Sequence, residues 1–265
     1  GSEKGISNIG IYLTGSNSKI VTAQNTGINI EDSRVATGIL STDSSKIENN
    51  GVINITETLP GKNQAVKAIV TAGNATLGLS GGTVINKGDI TLVGGVYNDG
   101  TNKYGSVGLV AQDNGSITST SGIINISVDG VESAGLFAQD GTLDLEKANI
   151  TTTGGAFNTF STGSAGIIKL GLDSVLNTGN KSLAFYTDNG GKIEFTGPLA
   201  GAPGSVIANI AGSTNSNDRG TAFYYVSSTP YGTFDQTAVS AWNTSTFNGT
   251  LNNLTLNMAT GSRLF

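Results

Sequence analysis

The sequence predicts an all-β fold: a right-handed parallel β-helix (solenoid) of about eight three-strand coils. Three observations carry this. One pattern is written twice, as Ser106-Val107-Gly108-Leu109-Val110-Ala111-Gln112-Asp113 and, 27 residues later, as Ser133-Ala134-Gly135-Leu136-Phe137-Ala138-Gln139-Asp140. Its centre, a small residue followed by two bulky apolar ones, recurs as Gly10-Ile11-Tyr12, Gly38-Ile39-Leu40, Ala68-Ile69-Val70, Gly166-Ile167-Ile168, Ala184-Phe185-Tyr186 and Ala222-Phe223-Tyr224, giving steps of 28, 30, 40, 27, 31, 18 and 38 residues. Self-similarity on this scale marks a stack of repeats. Composition agrees: 39 glycines, 4 prolines and only 12% charged residues, with Asn, Ser and Thr alternating with Val, Ile and Leu. That mixture favours short strands and frequent turns over helices.

Each repeat holds further strands. After the signature comes a turn and a short strand such as Lys19-Ile20-Val21, Ser45-Lys46-Ile47 or Lys192-Ile193-Glu194. A second turn follows, often Asn-x-Gly, as at Asn25-Thr26-Gly27, Asn49-Asn50-Gly51 and Asn86-Lys87-Gly88. Asn and Gly tolerate the left-handed backbone that a sharp corner needs. A cleanly alternating strand closes the repeat, as in Val52-Ile53-Asn54-Ile55 and Ile123-Ile124-Asn125-Ile126. Period-two alternation marks a strand with one buried face.

Three strands and three corners make one coil, and eight coils stacked at about 4.8 Å span about 38 Å. Equivalent residues then align into ladders. Ile11, Ile39, Ile69, Leu109, Leu136, Ile167, Phe185 and Phe223 are expected to form an inner ladder that is never polar, and Asn25, Asn49 and Asn86 a corner ladder of bonded amides. The third signature residue has the opposite parity yet is apolar in every copy: Tyr12, Leu40, Val70, Val110, Phe137, Ile168, Tyr186 and Tyr224. Three readings stand: a loop covers this stripe, the parity is reversed, or the stripe is a contact surface.

The long steps place loop insertions near 93–104, 197–219 and 227–242; the 18-residue step would be close to the shortest possible coil. Insertions in a solenoid are extruded to one side, often the binding side. Aromatic residues gather there, and Tyr224, Tyr225, Tyr231, Phe234 and Trp242, with Asp218 and Arg219, are the candidate ligand or partner contacts.

Asp43, Asp113, Asp140 and Asp188 are expected at one position, just after the signature strand. Clustered carboxylates could cleave a polysaccharide if about 5 to 9.5 Å apart, or hold calcium weakly, but Asp before Asn or Gly is more simply a turn former. The chain has no histidine and no cysteine, so no His-dependent triad, disulfide or thiolate metal site is available. We therefore expect no enzyme, no cofactor and no metal. With a net charge of -5 and no basic cluster, nucleic acid is not an expected partner. No apolar run approaches the roughly 20 residues of a spanning helix. Gly1-Ser2 reads as a cloning remnant, and residues 3–265 as one β-helix segment of a longer protein.

The Asn-x-Gly-x-Ile-x-Ile runs, the Gly-Leu-Val-Ala-Gln-Asp and Gly-Leu-Phe-Ala-Gln-Asp pair, and the closing Leu251-Asn252-Asn253-Leu254-Thr255-Leu256-Asn257-Met258 resemble the passenger region of large Gram-negative type V autotransporter adhesins. That resemblance implies a β-helix displayed on the bacterial cell surface while the parent chain is anchored in the outer membrane. It implies attachment to a host cell-surface protein or glycan, or to other bacterial cells. The protease members carry a Gly-Asp-Ser-Gly motif with a His, and this sequence has neither. The alternatives are a purely structural spacer of a longer adhesin and, last, a β-helical polysaccharide-degrading enzyme.

Overall fold

A computed structural model of the chain describes residues 7–31, 33–56, 65–73, 75–196, 206–225, 248–251 and 254–264. Each of the first seven coils contributes one strand to each of three sheets, and the eighth contributes to the first and third among the described residues. The first sheet stacks β1 (Ser7–Leu13), β4 (Val35–Thr42), β7 (Ala65–Ala72), β12 (Val107–Gln112), β15 (Ala134–Gln139), β18 (Phe157–Thr162), β21 (Leu183–Asp188) and β24 (Thr221–Tyr225). The second stacks β2 (Lys19–Val21), β5 (Lys46–Asn49), β8 (Thr83–Asn86), β13 (Ser116–Ser119), β16 (Thr142–Leu145), β19 (Ile167–Gly171) and β22 (Lys192–Thr196). The third stacks β3 (Gly27–Glu31), β6 (Val52–Thr56), β9 (Ile90–Gly94), β14 (Ile124–Asp129), β17 (Ala148–Thr153), β20 (Val175–Thr178), β23 (Val206–Ile210) and β26 (Leu254–Met258), with β25 (Asn248–Leu251) antiparallel to β26. Neighbouring strands within the three stacks are otherwise parallel, so the chain is a parallel β-helix, as the repeats predicted.

The core is a set of vertical ladders. In the first sheet Ile11, Ile39, Ile69, Leu109 and Leu136 align in register, and the last four are fully buried. Burying a Leu or Ile side chain contributes about 1.5–3 kcal/mol, and here each one sits on an aliphatic group from the coil below. The sixth coil differs from expectation. Ile167-Ile168 opens β19 of the second sheet, with Gly166 just before it, and the first-sheet strand is Asn158-Thr159-Phe160 within β18. Leu136 therefore pairs with Thr159, and Thr159 with Phe185. The inner ladder does have one polar rung, whose hydroxyl donates to the Ala184 carbonyl at 2.8 Å. The predicted steps of 31 and 18 residues become 23 and 26, and the shortest-possible coil disappears.

Beside Thr159, Asn158 occupies the small-residue position of the signature and is fully buried. Its Oδ1 accepts from Thr152 Oγ1 (2.9 Å) and Thr178 Oγ1 (2.7 Å), while its Nδ2 donates to the Ile150 carbonyl (3.2 Å) and, at the long end, to the Asn177 carbonyl (3.4 Å). A buried amide is tolerable because every polar group in this cluster is answered.

The corner ladder is real but shifted. Asn49 Nδ2 donates to Asn86 Oδ1 (2.8 Å) and Thr22 Oγ1 donates to Asn49 Oδ1 (2.9 Å). Thr22, not Asn25, is thus the first rung; Asn25 lies in an exposed turn. Further along, Ser119 is followed by Leu145, Leu170 and Phe195, so the same column turns apolar. Of the expected insertions, 93–104 forms an antiparallel hairpin of β10 (Val96–Asn98) and β11 (Lys103–Gly105). Its tip is held by Asp99, which accepts from the Thr101 and Asn102 amides at 2.8 and 2.7 Å. The stretch 197–219 is not one loop, because residues 206–210 are β23 with Val206 and Ala208 fully buried. The segment 227–242 lies outside the described residues.

Candidate functional site

The outward column of the first sheet runs Tyr12, Leu40, Val70, Val110, Phe137, Phe160 and Tyr186 by strand register, and the backbone of Tyr224 follows in the same register. Phe160 takes the place predicted for Ile168, which is instead a fully buried core residue of the second sheet. The stripe is not uniformly open. Tyr12 is 56% exposed, Val70 and Val110 are only 8% and 4% exposed, and Leu40, Phe137, Phe160 and Tyr186 are half-buried.

Aromatic side chains concentrate over the fifth to seventh coils. Phe160 packs edge-on against Phe137 (5.1 Å between centroids) and Tyr186 (4.5 Å), and Phe157 tilts against both Phe160 (5.4 Å) and Tyr186 (5.3 Å). Phe157 belongs to the adjacent outward column, with Ala134 before it and Leu183 after it. Such contacts contribute about 0.5–1.5 kcal/mol each beyond area burial and hold the rings in fixed orientations. Sequence reasoning missed Phe157 and Phe160, because the apolar pair Ile167-Ile168 was a better match to the signature than Thr159-Phe160.

In that adjacent column Lys67 stands between Thr37 and Val107. Burial pushes its ammonium below the usual lysine range, and among the described residues no hydrogen bond or ion pair offsets the lost hydration. The protonated form is therefore penalised in the fold, and stability should rise as pH climbs from neutrality through the lowered pKa towards the unfolded-chain value near 10.4. We expect Lys67→Met to raise the melting temperature at pH 7 by about 2–4 °C, the shift that about 1 kcal/mol produces in a chain of this size. By about pH 11.5, above the unfolded-chain value, the difference should have closed. Thermal melts at both pH values check this, and an unchanged or lowered midpoint at pH 7 contradicts it.

The other candidate contacts fall in two places. Tyr224 shares the register of Tyr186, and Tyr225 that of Thr187. Asp218 ends a short 3-10 turn at Ser216–Asp218, where Lys181 Nζ lies 3.1 Å from Oδ1 and Asn215 Nδ2 donates to Oδ2 at 2.9 Å. Arg219 follows it, half-buried, in the corner leading into β24. Tyr231, Phe234 and Trp242 lie outside the described residues.

The acidic residues sit at the turns that leave the first sheet. Asp43, Asp113 and Asp140 have φ of 52°, 53° and 51°, the left-handed region that Asp and Asn tolerate better than most residues. Their carboxylates accept from neighbouring coils: Asp43 from Thr14 Oγ1 (2.5 Å), Asp113 from the Gly73 amide (3.2 Å) and Asp140 from the Ala165 amide (3.1 Å). Asp188 does not share their position. It pairs in register with Thr162, one residue earlier, and Asn189 takes the left-handed turn with φ 48°.

Fold and surface together define a parallel β-helix with an apolar, aromatic-centred stripe on one sheet. No family model matches the chain, and no curated protein or solved structure is detectably similar to it.

Proposed function

We propose that this chain is a segment of a surface-displayed autotransporter passenger, acting in adhesion to host or neighbouring cells through one flank of a rigid β-helix. The observation that carries the reading is the outward first-sheet column, apolar from Tyr12 to Tyr186 and centred on Phe137, Phe160 and Tyr186, with Phe157 packed beside it from the adjacent column. Clustered aromatics dominate the energetics of protein contacts. A strand-mounted patch is ordered before binding, so little conformational freedom is lost on contact. The partner is a host cell-surface protein or glycan, or the surface of another bacterium. The segment itself stays outside the membrane while its parent chain is anchored in the outer membrane.

Beads coated with the whole chain should adhere to cultured epithelial cells or to bacteria. Phe160→Asp should reduce adherence at least about tenfold, since it places a charge at the centre of a contact that must lose water. Its far-UV circular dichroism should match the parent. Wild-type beads that adhere no better than uncoated ones would favour the spacer reading and overturn this one. Undiminished adherence of Phe160→Asp would remove the stripe from the mechanism.

A further inference from the structure

A second surface lies on the third sheet, around the corner from the aromatic stripe. Thr151, Asn177, Asn209 and Asn257 occupy one outward column of β17, β20, β23 and β26. Their side chains are bonded in one direction: Asn257 Nδ2 donates to Asn209 Oδ1 (2.9 Å), Asn209 Nδ2 to Asn177 Oδ1 (2.9 Å), and Asn177 Nδ2 to Thr151 Oγ1 (3.4 Å). Beside this column the next residues are Thr153, Gly179, Ala211 and Ala259. They are held in step by backbone bonds from Gly179 to Thr152, Ala211 to Thr178 and Ala259 to Ile210 at 2.8, 2.8 and 3.0 Å. Three of these four carry a methyl group or nothing. The result is an open groove of about 650 Å³ along the amide row, within the range of small-molecule sites. Four coils at about 4.8 Å give the row a length of about 14 Å.

The chemistry of the lining selects the ligand. An Asn amide offers two N–H donors and two lone pairs. The ladder takes one of each from Asn209 and fixes the amide planes, which leaves a second donor and acceptor on each rung for a ligand. The described residues that line the groove include no ionisable group, so a charged ligand would lose hydration without gaining a counter-charge from them. A wholly apolar ligand would strand the amides. A peptide that adds by strand pairing needs an open sheet edge, and this groove lies on a face whose backbone groups are used between β17, β20, β23 and β26. What fits is a neutral chain of hydroxyl groups, each both donor and acceptor. We propose that this groove binds a short neutral oligosaccharide along the Asn177–Asn209–Asn257 row. The proposal rests on the fold and not on the adhesive stripe, so either can fail alone.

The test uses the whole chain with a panel of neutral trisaccharides (maltotriose, cellotriose, mannotriose and a galactotriose). Sialylated and sulfated sugars and an extended peptide serve as comparators, and binding is read by saturation-transfer NMR and calorimetry. At least one neutral trisaccharide should bind. Asn209→Ala should weaken it at least tenfold, and Ala211→Trp should abolish binding by filling the groove while leaving the amide row intact. Asn54→Ala, which removes the donor of the equivalent 3.0 Å bond to Asn29 at the far end of the same sheet, should bind as the parent does. Three results would overturn the proposal: no neutral trisaccharide binds, binding survives both groove variants, or the charged sugars or the peptide bind more tightly. None of them bears on whether Phe160→Asp alters adherence.

Discussion

Gly108→Val is expected to destabilise the chain by at least about 3 kcal/mol and to split its unfolding into two steps. Gly108 is the small residue of the signature in the fourth coil. A side chain there would start 2.5 Å from the Gly135 carbonyl oxygen of the next coil and would run into the Ile126 side chain as well. The isoleucine end can turn away. The carbonyl cannot, because β12 and β15 are paired in register on both sides of the glycine. Overpacking in a well-filled core costs about 1–3 kcal/mol, and here the strain also opens the sheet. A solenoid is held by contacts between neighbouring repeats, so a fault between the fourth and fifth coils weakens the coupling of two half-stacks. Urea unfolding followed by circular dichroism reads both effects. A single transition with its midpoint at the parent value would show that the coils can move apart without cost.

Asn158→Ala is expected to cost about 3 kcal/mol, with most of the loss recovered when Thr152→Val and Thr178→Val are added. The single change strands two buried hydroxyls that donate to Asn158 Oδ1. An unsatisfied buried polar group costs about 1–3 kcal/mol, whereas exchanging both partners for apolar groups of like shape can be nearly neutral. The triple variant resembles the neighbouring coils, where Val128 and Ile210 hold the same column as Thr152 and Thr178. Equilibrium unfolding of parent, single, Thr152→Val/Thr178→Val double and triple variants closes the cycle. A coupling energy below about 0.5 kcal/mol would mean that the three side chains do not act as a unit.

The sixth coil shows why a sequence reading fails where it does. Alternation is local, so Val52-Ile53-Asn54-Ile55 announces a half-buried strand without help from the rest of the chain. The aligned copies at Leu109 and Leu136 state their own register. Asn158 and Thr159 break the apolar signature because their partners, Thr152, Thr178 and the Ala184 carbonyl, are supplied by other strands. Ile167-Ile168 imitates the signature because the second sheet also needs an inward aliphatic residue. Phe160 was lost from the stripe, and Phe157 from beside it, by that one misplacement, and with them the centre of the aromatic cluster. The groove on the third sheet was equally hidden. Asn177, Asn209 and Asn257 are separated by 32 and 48 residues, and nothing local marks them as neighbours.

By itself the sequence determined the winding of the chain, the strands that build its coils, most rungs of the inner ladder and the run of apolar residues beside it. These follow from period-two burial and turn chemistry, which each segment carries within itself. Only the tertiary structure decided which way that run faces and which residues of different coils lie one above another. Coil length varies with every inserted turn and hairpin, so vertical neighbours are fixed by hydrogen-bonded register and not by spacing. The aromatic cluster, the Asn158 network and the amide groove are all made of such neighbours.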